Sequence, residues 1–591
     1  MNSEHIWRYT LLGTILSVLA GFIVWQTVRI QLDPEQVQRF IEEGKTYEGE
    51  WHTYYPPRGL IYDRWGHLLA GNTTVYEIGA ELDRVKNPHT IALTMNVVLG
   101  LDYSKVYDAI TQEPSKKAVY AVLDDNVTQE KIDRLVAIRD EIETTYGGSR
   151  DKDAPNLSGL VYHPHLQRTY PENSLASNML GFVGRDEQGD IRGYFGVEAK
   201  YNDLLAGQSQ RAWLPSDPNR VAEIPEIPAG ASLVLTIDRD IQSAMEDIVD
   251  ETMESSGSES VTIVVMDPKS GDVLAMATTP RLDLNKYWRY GEIFEGETPF
   301  NRAVSQAYEP GSVYKVLTMA AGLDSKAVEP ESTFVDTGLF EIGGLFIRNW
   351  NSGAWGPQDM QGCLQHSLNV CLAWVASQTG AKKFYAYMNA FSIGHQTGIE
   401  LAGESSGRLK EPGDADWYDA DLGTNAFGQG VSATPLQMAA AISAIANDGK
   451  MMAPRIVRSI ISDGRQFDTE ARVVGMPISA DTAHTLTEIL ARSLESEASN
   501  ALVEGYRVAG KTGTAEIPTP YGYTSDVTNA SFVGWGPVPD NRFLVYIWLE
   551  KPKTSIWGSE VAAPVFPKVV EKLVVLMDIP PDDVRNALFS Q

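Results

Sequence analysis

The sequence is poor in the residues that bind metals and in positive charge. Its 591 residues include only two cysteines and nine scattered histidines, so a zinc site built from these ligands is not expected. Aspartate and glutamate number 78 against 49 lysines and arginines, which gives a net charge of −29. Nucleic-acid binding needs a basic surface that displaces counterions from phosphates, so a nucleic-acid partner is excluded. We predict no cofactor and no metal ion.

Long apolar runs are also scarce. One run, residues 9–28, is free of charge, and about 20 residues at about 1.5 Å each span the ~30 Å core of a bilayer. No small-residue cleavage site of the A-x-A type follows it, which favours an uncleaved anchor over a signal peptide. A buried core helix is the other alternative. We predict a short cytoplasmic N-terminus at 1–8, a transmembrane anchor at 9–30, and the rest of the chain on one side of the membrane.

The remaining length is too great for one hydrophobic core and predicts two domains. A segment at 215–230, rich in proline and charge, marks the boundary between them. The first domain, at 31–230, mixes short strands with helical patterns near 88–99 and 128–145 and carries no clear set of catalytic acids. The second domain occupies 231–591.

The order of patterns in the second domain predicts an α+β fold. A strand, a helix and a hairpin at 261–277 come first, helical patterns dominate 314–497, and strands and a helix return at the end. This order indicates one central antiparallel sheet with helices on both faces. The two ends of the domain come together in this sheet.

Three short motifs follow one another in the second domain. They are S-x-x-K with Ser312 and Lys315, S-x-N with Ser367 and Asn369, and K-T-G-T at 511–514. Each is weak alone: a second S-x-x-K at 149–152 lies in a polar loop, and we interpret it as accidental. In this order, the three motifs are the set used for acyl transfer through a serine whose base is a lysine.

The first motif supplies a nucleophile and its base. A serine hydroxyl needs a base within reach, and positions i and i+3 of a helix share a face, so the amine of Lys315 can reach Ser312. Pro310 and Gly311 precede an apolar helical pattern, which places Ser312 near a helix N-terminus that favours an oxyanion. Lys315 acts as a base only when neutral, and burial together with a second cation would lower its pKa.

The other two motifs supply binding groups. Ser367 can relay a proton between Lys315 and a leaving amine, and Asn369 can hold a substrate amide. The K-T-G-T motif lies on a predicted strand, where Gly513 would let a peptide lie against the backbone as an added edge strand. Lys511 can be the second cation that lowers the pKa of Lys315. Its amine and the hydroxyls of Thr512 and Thr514 suit a terminal carboxylate.

With these motifs the sequence resembles class B penicillin-binding proteins over nearly its whole length. Further shared stretches are the R-G-x-I-x-D-R-x-G-like residues 58–66, and residues 193–198, 309–312, 428–430 and 434–437. The resemblance implies a penicilloyl-serine-transferase (β-lactamase-like) catalytic domain, an elongated α+β pedestal or dimerisation domain before it, and one transmembrane helix.

The resemblance also implies a reaction. Ser312 would be acylated by the penultimate D-alanine of a peptidoglycan stem peptide, with release of the last D-alanine, and an amine of a neighbouring strand would take the acyl group. Lys315 would be the base, Ser367 the proton shuttle and Asn369 the substrate anchor. Lys511, Thr512 and Thr514 would bind the carboxylate, with the backbone N–H groups of Ser312 and Thr514 as the oxyanion hole. β-Lactams resemble the D-Ala-D-Ala end and would trap Ser312.

Two further expectations follow from the resemblance. The catalytic domain would lie on the extracytoplasmic (periplasmic) side of the cytoplasmic membrane, and the pedestal would engage a SEDS-family glycosyltransferase. Residues 308–311 and 561–566 look more like members of the division (septal) branch than of the elongation branch.

Other functions remain as alternatives. A D,D-carboxypeptidase or a β-lactamase shares the acylation but needs water for deacylation, and no E-x-x-L-N-like stretch lies between the second and third motifs to supply a base. A β-lactam sensor would be expected to have further spanning segments or a cytoplasmic domain. A membrane scaffold without activity would have little need of all seven motif positions.

Cys363 and Cys371 bracket the second motif. A disulfide is possible outside the cytoplasm, but on one continuous helix the two residues would lie about 12 Å apart, so we predict two buried free thiols. His366 is predicted to serve packing. Structural ion-pair and turn roles are predicted for Arg58, Asp63, Arg64 and Glu198.

Overall fold

The structure is a computed structural model. It describes residues 3–34, 37–39, 49–112, 119–149, 151, 153–187, 189–215, 227–294, 296, 298–497, 499–519 and 522–589.

The strands of the described residues are numbered along the chain. They are β1 Gly49–Tyr54, β2 Ile61–Tyr62, β3 Leu68–Glu81, β4 Tyr120–Thr128, β5 Leu160–Thr169, β6 Phe182–Arg185, β7 Ile191–Tyr194, β8 Gln210–Pro215, β9 Ser232–Leu235, β10 Ser260–Met266, β11 Val273–Thr278, β12 Phe334–Asp336, β13 Leu339–Ile342, β14 Leu345–Arg348, β15 Gly356–Gln358, β16 Met451–Met452, β17 Val457–Ser462, β18 Arg465–Asp468, β19 Val473–Gly475, β20 Ala509–Thr519, β21 Gly522–Gly536 and β22 Phe543–Glu550.

The helices are numbered in the same way. They are α1 Ser3–Leu32, α2 Pro88–Leu99, α3 Tyr103–Ile110, α4 Gln129–Tyr146, α5 Ser177–Leu180, α6 Gly196–Lys200, α7 Asn202–Ala206, α8 Arg239–Ser256, α9 Tyr290–Ile293, α10 Arg302–Ser305, α11 Lys315–Asp324, α12 Met360–Gln365, α13 Asn369–Thr379, α14 Ala381–Ala390, α15 Asp419–Asn425, α16 Pro435–Ala446, α17 Ala480–Ser496, α18 Gly558–Val561, α19 Val565–Leu576 and α20 Asp582–Phe589, with 3₁₀ turns at Leu284–Arg289 and Gly311–Tyr314.

One compact unit comprises Met1–Pro57 and Ala206–Gly230. Helix α1 contains an apolar stretch, Trp7–Arg29, with a mean hydropathy of 1.9. None of this stretch is buried against the rest of the protein, which fits the predicted single-pass anchor. In the same unit β1 pairs antiparallel with β8. The predicted boundary segment at 215–230 lies mostly outside the described residues.

The second unit comprises Arg58–Leu205 and Ala231–Gln591 and contains the predicted central sheet. Its five strands are all antiparallel, in the order β11-β10-β22-β21-β20, so the first hairpin of the catalytic region pairs with the last strands of the chain. Helices α8 and α19 pack on one face and α16 packs against β22 on the other. The predicted α+β architecture is confirmed. As predicted, strands from the beginning and the end of the catalytic region lie in one sheet.

A second sheet joins the pedestal region to the catalytic region. Strand β9, predicted at 232–237, lies outside the five-stranded sheet and pairs in parallel with β2, with Ile61 opposite Leu233. The strand order in this sheet is β18-β17-β9-β2-β3-β4, with β5 also on β3. Residues on both sides of position 230 therefore share one hydrogen-bonded sheet.

The pedestal region contains charged side chains that are buried and have bonded partners. The carboxylate of Glu198 is fully buried between two guanidinium groups, with Nε of Arg58 and Nε of Arg168 each 2.7 Å from one of its oxygens. Asp63 accepts hydrogen bonds from the backbone N–H groups of the turn that follows it. The Arg64 guanidinium lies over the ring of Trp65, at 5.4 Å from its centroid. The predicted structural roles of these residues are confirmed.

Candidate active site

Ser312 lies in the 3₁₀ turn Gly311–Tyr314, which runs directly into α11. Gly311 has a φ of +60°, and a Cβ atom there would lie 2.7 Å from the carbonyl oxygen of Thr514. A glycine is therefore required where the turn meets strand β20. Ser312 is half-buried and lines a cleft of about 860 Å³, so the predicted position at a helix N-terminus is confirmed.

Lys315, the first residue of α11, is fully buried. Its Nζ lies 2.6 Å from the carbonyl oxygen of Ser367, 2.7 Å from Oδ1 of Asn369 and 3.1 Å from Oγ of Ser367. Burial, and to a smaller extent the charge of Lys511, holds the pKa of Lys315 well below its usual range. A neutral amine in this position is the state that a base requires.

Ser367 lies in a sharp turn between α12 and α13, and Asn369 is the first residue of α13. Ser367 has a φ of +52°, in the left-handed region that few residues other than glycine adopt. The N–H of Leu368 donates to the carbonyl oxygen of Cys363 and closes the turn. Asn369 donates from Nδ2 to the carbonyl oxygen of Arg348 at 3.1 Å. Its amide retains a second N–H hydrogen and a second lone pair for a substrate.

The prediction of two free thiols is wrong, because Cys363 and Cys371 form a disulfide. The prediction assumed one continuous helix, whereas α12 ends at Gln365 and the chain reverses at Ser367 before α13 begins. The two Cα atoms consequently lie 5.9 Å apart, within the range that a disulfide spans. The bond ties together the two helices on either side of Ser367.

We expect the double replacement Cys363→Ser and Cys371→Ser to destabilise the protein by about 2–3 kcal/mol, the loop-closure contribution of so short a loop. Acylation should also slow, because the turn that carries Ser367 loses its cross-link. Calorimetry and the rate of penicillin labelling would measure both effects. The chain has no other cysteines, so reduced wild type should behave like the double variant. Equal melting of oxidised and reduced protein would contradict the prediction.

Strand β20 presents alternate side chains to two environments. Thr512 and Thr514 are half-buried and line the cleft, whereas Lys511 and Gly513 are buried. The Nζ of Lys511 lies 3.1 Å from the carbonyl oxygen of Thr512 and 3.3 Å from its hydroxyl. A Cβ atom at Gly513 would lie 2.3 Å from Oγ of Ser531, in the interior. The glycine thus leaves room for Ser531 and for the side chain of Val313, the residue after Ser312.

The hydroxyl of Thr514 is held by the first residue of α18. The N–H of Gly558 donates to Oγ1 of Thr514 at 2.9 Å. Because Oγ1 accepts this bond, its own hydrogen remains able to donate to a ligand in the cleft. A Cβ atom at Gly558 would lie 2.0 Å from the carbonyl oxygen of Gly513, so this close approach depends on glycine.

Burial lowers the pKa of Lys511 to about 8, although the negative charge of Glu497 opposes the shift. Lys511 is a cation below this pKa and loses its charge above it. The predicted role of Lys315 has the opposite pH dependence, because its amine would be neutral, and able to act as a base, only above its own lowered pKa.

We therefore expect a bell-shaped pH profile for acylation by penicillin. The rate should rise with pH as Lys315 loses its proton, and it should fall near pH 8 as Lys511 ceases to attract the carboxylate. Stopped-flow rates across about pH 5–10 would measure both limbs. A penicillin methyl ester carries no carboxylate and should lack the alkaline fall. An equal fall for acid and ester would contradict the assignment to Lys511.

Aromatic residues that the sequence did not single out form the walls of the cleft. Trp350 and Trp557 approach edge to face with centroids 5.3 Å apart. His366 stacks on Trp355 at 4.1 Å, which agrees with a packing role, but its Nδ1 also lies 3.3 Å from an oxygen of Glu497. The two tryptophans of the first pair are far apart in the sequence, so no local pattern predicts their contact.

A serine in the turn that starts a helix, a buried lysine three residues later, and a K-T-G-T strand on an antiparallel sheet covered by helices are the features of penicillin-reactive serine acyltransferases. The chain matches the family model described as penicillin binding protein transpeptidase domain over residues 261–571 and the penicillin-binding protein dimerisation domain over 53–220. It belongs to the penicillin-binding protein transpeptidase family, and the two domains together identify it as a class B member, as predicted.

Curated relatives agree with this assignment. Stage V sporulation protein D of Bacillus subtilis (strain 168) is 29% identical over 547 residues, covering 89% of this chain and 79% of that protein. Penicillin-binding protein PbpB of Mycolicibacterium smegmatis is 33% identical over 70% of this chain and 65% of that protein. A relative from Mesostigma viride, named peptidoglycan D,D-transpeptidase FtsI homolog, is 25% identical over 89% of each chain. The predicted enzyme class, peptidoglycan D,D-transpeptidase, is confirmed.

Solved structures support the fold. Penicillin binding protein 2X from Streptococcus thermophilus has a TM-score of 0.74 at 23% identity, covering 89% of this chain and 80% of that one. Penicillin binding protein 3 from Mycobacterium tuberculosis, complexed with aztreonam, has a TM-score of 0.66 at 25% identity, covering 90% and 98%.

Proposed function

We propose that Ser312 is the acylated residue of this peptidoglycan D,D-transpeptidase, with Lys315 as base, Ser367 as proton shuttle and Asn369 as substrate anchor. The supporting observation is the buried amine of Lys315, bonded to both Ser367 and Asn369 beside a cleft onto which Ser312 opens. Lys511, Thr512 and Thr514 bind the substrate carboxylate, and the peptide lies against the strand at Gly513 as an added edge strand.

Acylation begins with proton transfer from Ser312 to Lys315. The neutral amine donates its two hydrogens to the carbonyl oxygen of Ser367 and to Oδ1 of Asn369, its two shortest contacts, which leaves its lone pair for the proton. The serine oxygen then bonds to the carbonyl carbon of the penultimate D-alanine. Charge collects on the carbonyl oxygen, where the N–H groups of Ser312 and Thr514 stabilise it.

Collapse of this intermediate breaks the C–N bond to the terminal D-alanine. The leaving nitrogen takes a proton that passes from Lys315 through the hydroxyl of Ser367, which lies 3.1 Å from Nζ. The free D-alanine departs and leaves an ester on Ser312. An amine of a neighbouring strand then attacks the ester, gives up a proton by the reverse route, and forms the cross-link as Ser312 regains its hydrogen.

The same proposal covers the rest of the chain: a cytoplasmic segment at 1–8, an anchor at 9–30, a pedestal at 31–230 and a transpeptidase domain at 231–591 on the extracytoplasmic side. The disulfide supports this orientation, since such bonds persist in oxidising compartments. The family resemblance supports a SEDS-family glycosyltransferase as membrane partner, and residues 308–311 and 561–566 favour the division branch over the elongation branch.

A donor thioester of an acylated D-alanine, offered to the full-length protein in detergent together with a D-amino acid, tests this proposal. Mass spectrometry would measure how the acyl group divides between transfer to the amine and hydrolysis. We expect transfer to dominate and a penicillin adduct to persist. Dominant hydrolysis would favour a carboxypeptidase or β-lactamase, and folded protein that reacts with neither reagent would favour a scaffold.

A further inference from the structure

The cleft-facing side of β20 extends beyond the K-T-G-T motif. Thr512, Thr514 and Glu516 are each half-buried and line the cleft, because alternate residues of a strand point to one face. Glu516 is thus the next side chain on the surface that carries the proposed substrate contacts. It lies roughly 7 Å along the strand from Thr514, at about 3.3 Å per residue.

Glu516 has a neutral partner. Its Oε2 accepts a hydrogen bond from Nε2 of Gln429 at 3.2 Å. No lysine, arginine or histidine of the described residues lies within ion-pair distance of it. By contrast, Glu497 on another wall of the cleft lies 3.3 Å from His366. The carboxylate of Glu516 therefore keeps most of its charge available to a ligand in the cleft.

The proposed contacts fix the direction of a bound donor peptide. Its terminal carboxylate lies at Lys511 and Thr512, and the carbonyl that reacts lies at the N–H of Thr514. The peptide therefore runs antiparallel to β20, and its residue before the D-Ala-D-Ala pair lies beyond Thr514, towards Glu516. A long side chain on that residue reaches the carboxylate.

We propose that Glu516 is a specificity-determining residue, which selects donor peptides whose residue before the D-Ala-D-Ala pair is a diamino acid with a cationic side chain. The inference rests on the proposed function, since it uses the direction in which the donor binds. On the proposed contacts, the buried charge of Lys511 attracts the terminal carboxylate and the cleft-lining Glu516 attracts the side-chain ammonium. Such a peptide matches both charges at once.

Depsipeptides of the form acetyl-X-D-Ala-D-lactate test the inference, with X as L-lysine, Nε-acetyl-L-lysine or L-glutamate. Each acylates the serine with release of lactate, and intact-mass measurements on the full-length protein give the acylation rate constants. We expect wild type to favour lysine over acetyl-lysine by about threefold to tenfold, and glutamate to react most slowly. High salt should reduce the preference, because the pair is partly exposed.

The ratio of rates within one variant is the quantity to compare, so that any general loss of activity cancels. E516Q should bring the lysine to acetyl-lysine ratio to about one, and E516K should favour glutamate. Glu560 also lines the cleft but lies outside β20, so E560Q is a matched control that should keep the wild-type ratio.

Three outcomes would overturn the inference: no preference in wild type at low salt, a preference that survives E516Q, or one that E560Q removes. Penicillin labelling of wild type separates this failure from a failure of the proposed function. If penicillin labels Ser312 and the depsipeptides show no preference, only the role of Glu516 falls. If no reagent acylates the folded protein, the proposed function falls and the inference with it.

Discussion

Replacement of Ser312 by alanine is expected to abolish the covalent penicillin adduct. On the proposed mechanism the acyl bond forms at Oγ of this residue, and loss of the nucleophile in serine acyl enzymes reduces the rate by on the order of 10⁶. The change removes one half-buried oxygen, so the fold and the disulfide should be retained. A fluorescent penicillin, followed by gel and by intact mass, measures the adduct directly.

A matched control is present in the chain. Ser149 begins the second S-x-x-K, at 149–152, which lies partly outside the described residues. Ser149→Ala should label as fast as wild type, and both variants should melt at the wild-type temperature. An adduct that remains on Ser312→Ala, or one that disappears from Ser149→Ala, would contradict the assignment of the nucleophile.

Replacement of Lys315 by methionine should slow acylation by about 10²–10⁴, the usual contribution of a general base. Methionine has a similar length and no charge, so it fits the buried space, although Ser367 and Asn369 lose a hydrogen-bond donor. Rates of penicillin labelling and of transfer from a donor thioester should fall together, because both need the same proton transfer.

Lys315→Arg distinguishes a base from a fixed positive charge. Arginine stays protonated under all ordinary conditions, so it can replace the charge but cannot accept the proton of Ser312. We expect this variant to be as slow as Lys315→Met at every pH at which the protein is folded. Activity close to wild type in Lys315→Arg would mean that Lys315 acts electrostatically and that another group takes the proton.

The sequence predicted those parts of the site that depend on local spacing. The position of Ser312 at the start of a helix follows from the Pro-Gly pair before it and the apolar pattern after it. The reach of Lys315, three residues later, to Ser312 stays a prediction from helix geometry. The contact of Lys315 with Ser367 and Asn369 joins distant segments, and it was expected only because the three motifs occur together. That part of the prediction rested on the joint occurrence of the three motifs and not on the spacing of apolar residues.

The disulfide shows why the same reasoning failed nearby. A separation of eight residues converts to a distance only if the helix is continuous, and the helix ends where Ser367 takes a positive φ. Glycine often signals a positive φ, but serine does not. The reversal at Ser367 could therefore not be predicted from the neighbouring residues.

The pairing of sheets was also beyond local patterns. The sequence predicts short strands at β9 and before the turn at 63–66, where β2 lies, but it does not predict that the two strands pair across about 170 residues of chain. The contact between Trp350 and Trp557 on the cleft wall was not predicted for the same reason. Contacts between distant segments depend on the packing of the whole domain, whereas strand and helix patterns are properties of short stretches.

The parallel pairing of β2 with β9 has a practical consequence for soluble fragments. A fragment that begins at position 231, where the sequence predicts the domain to start, would expose one side of β9 as an unpaired edge. Such an edge recruits other chains and promotes aggregation. A fragment that begins at Arg58 keeps β2 in place and retains the buried partner of Glu198. The shortest well-behaved enzyme therefore includes the pedestal strands.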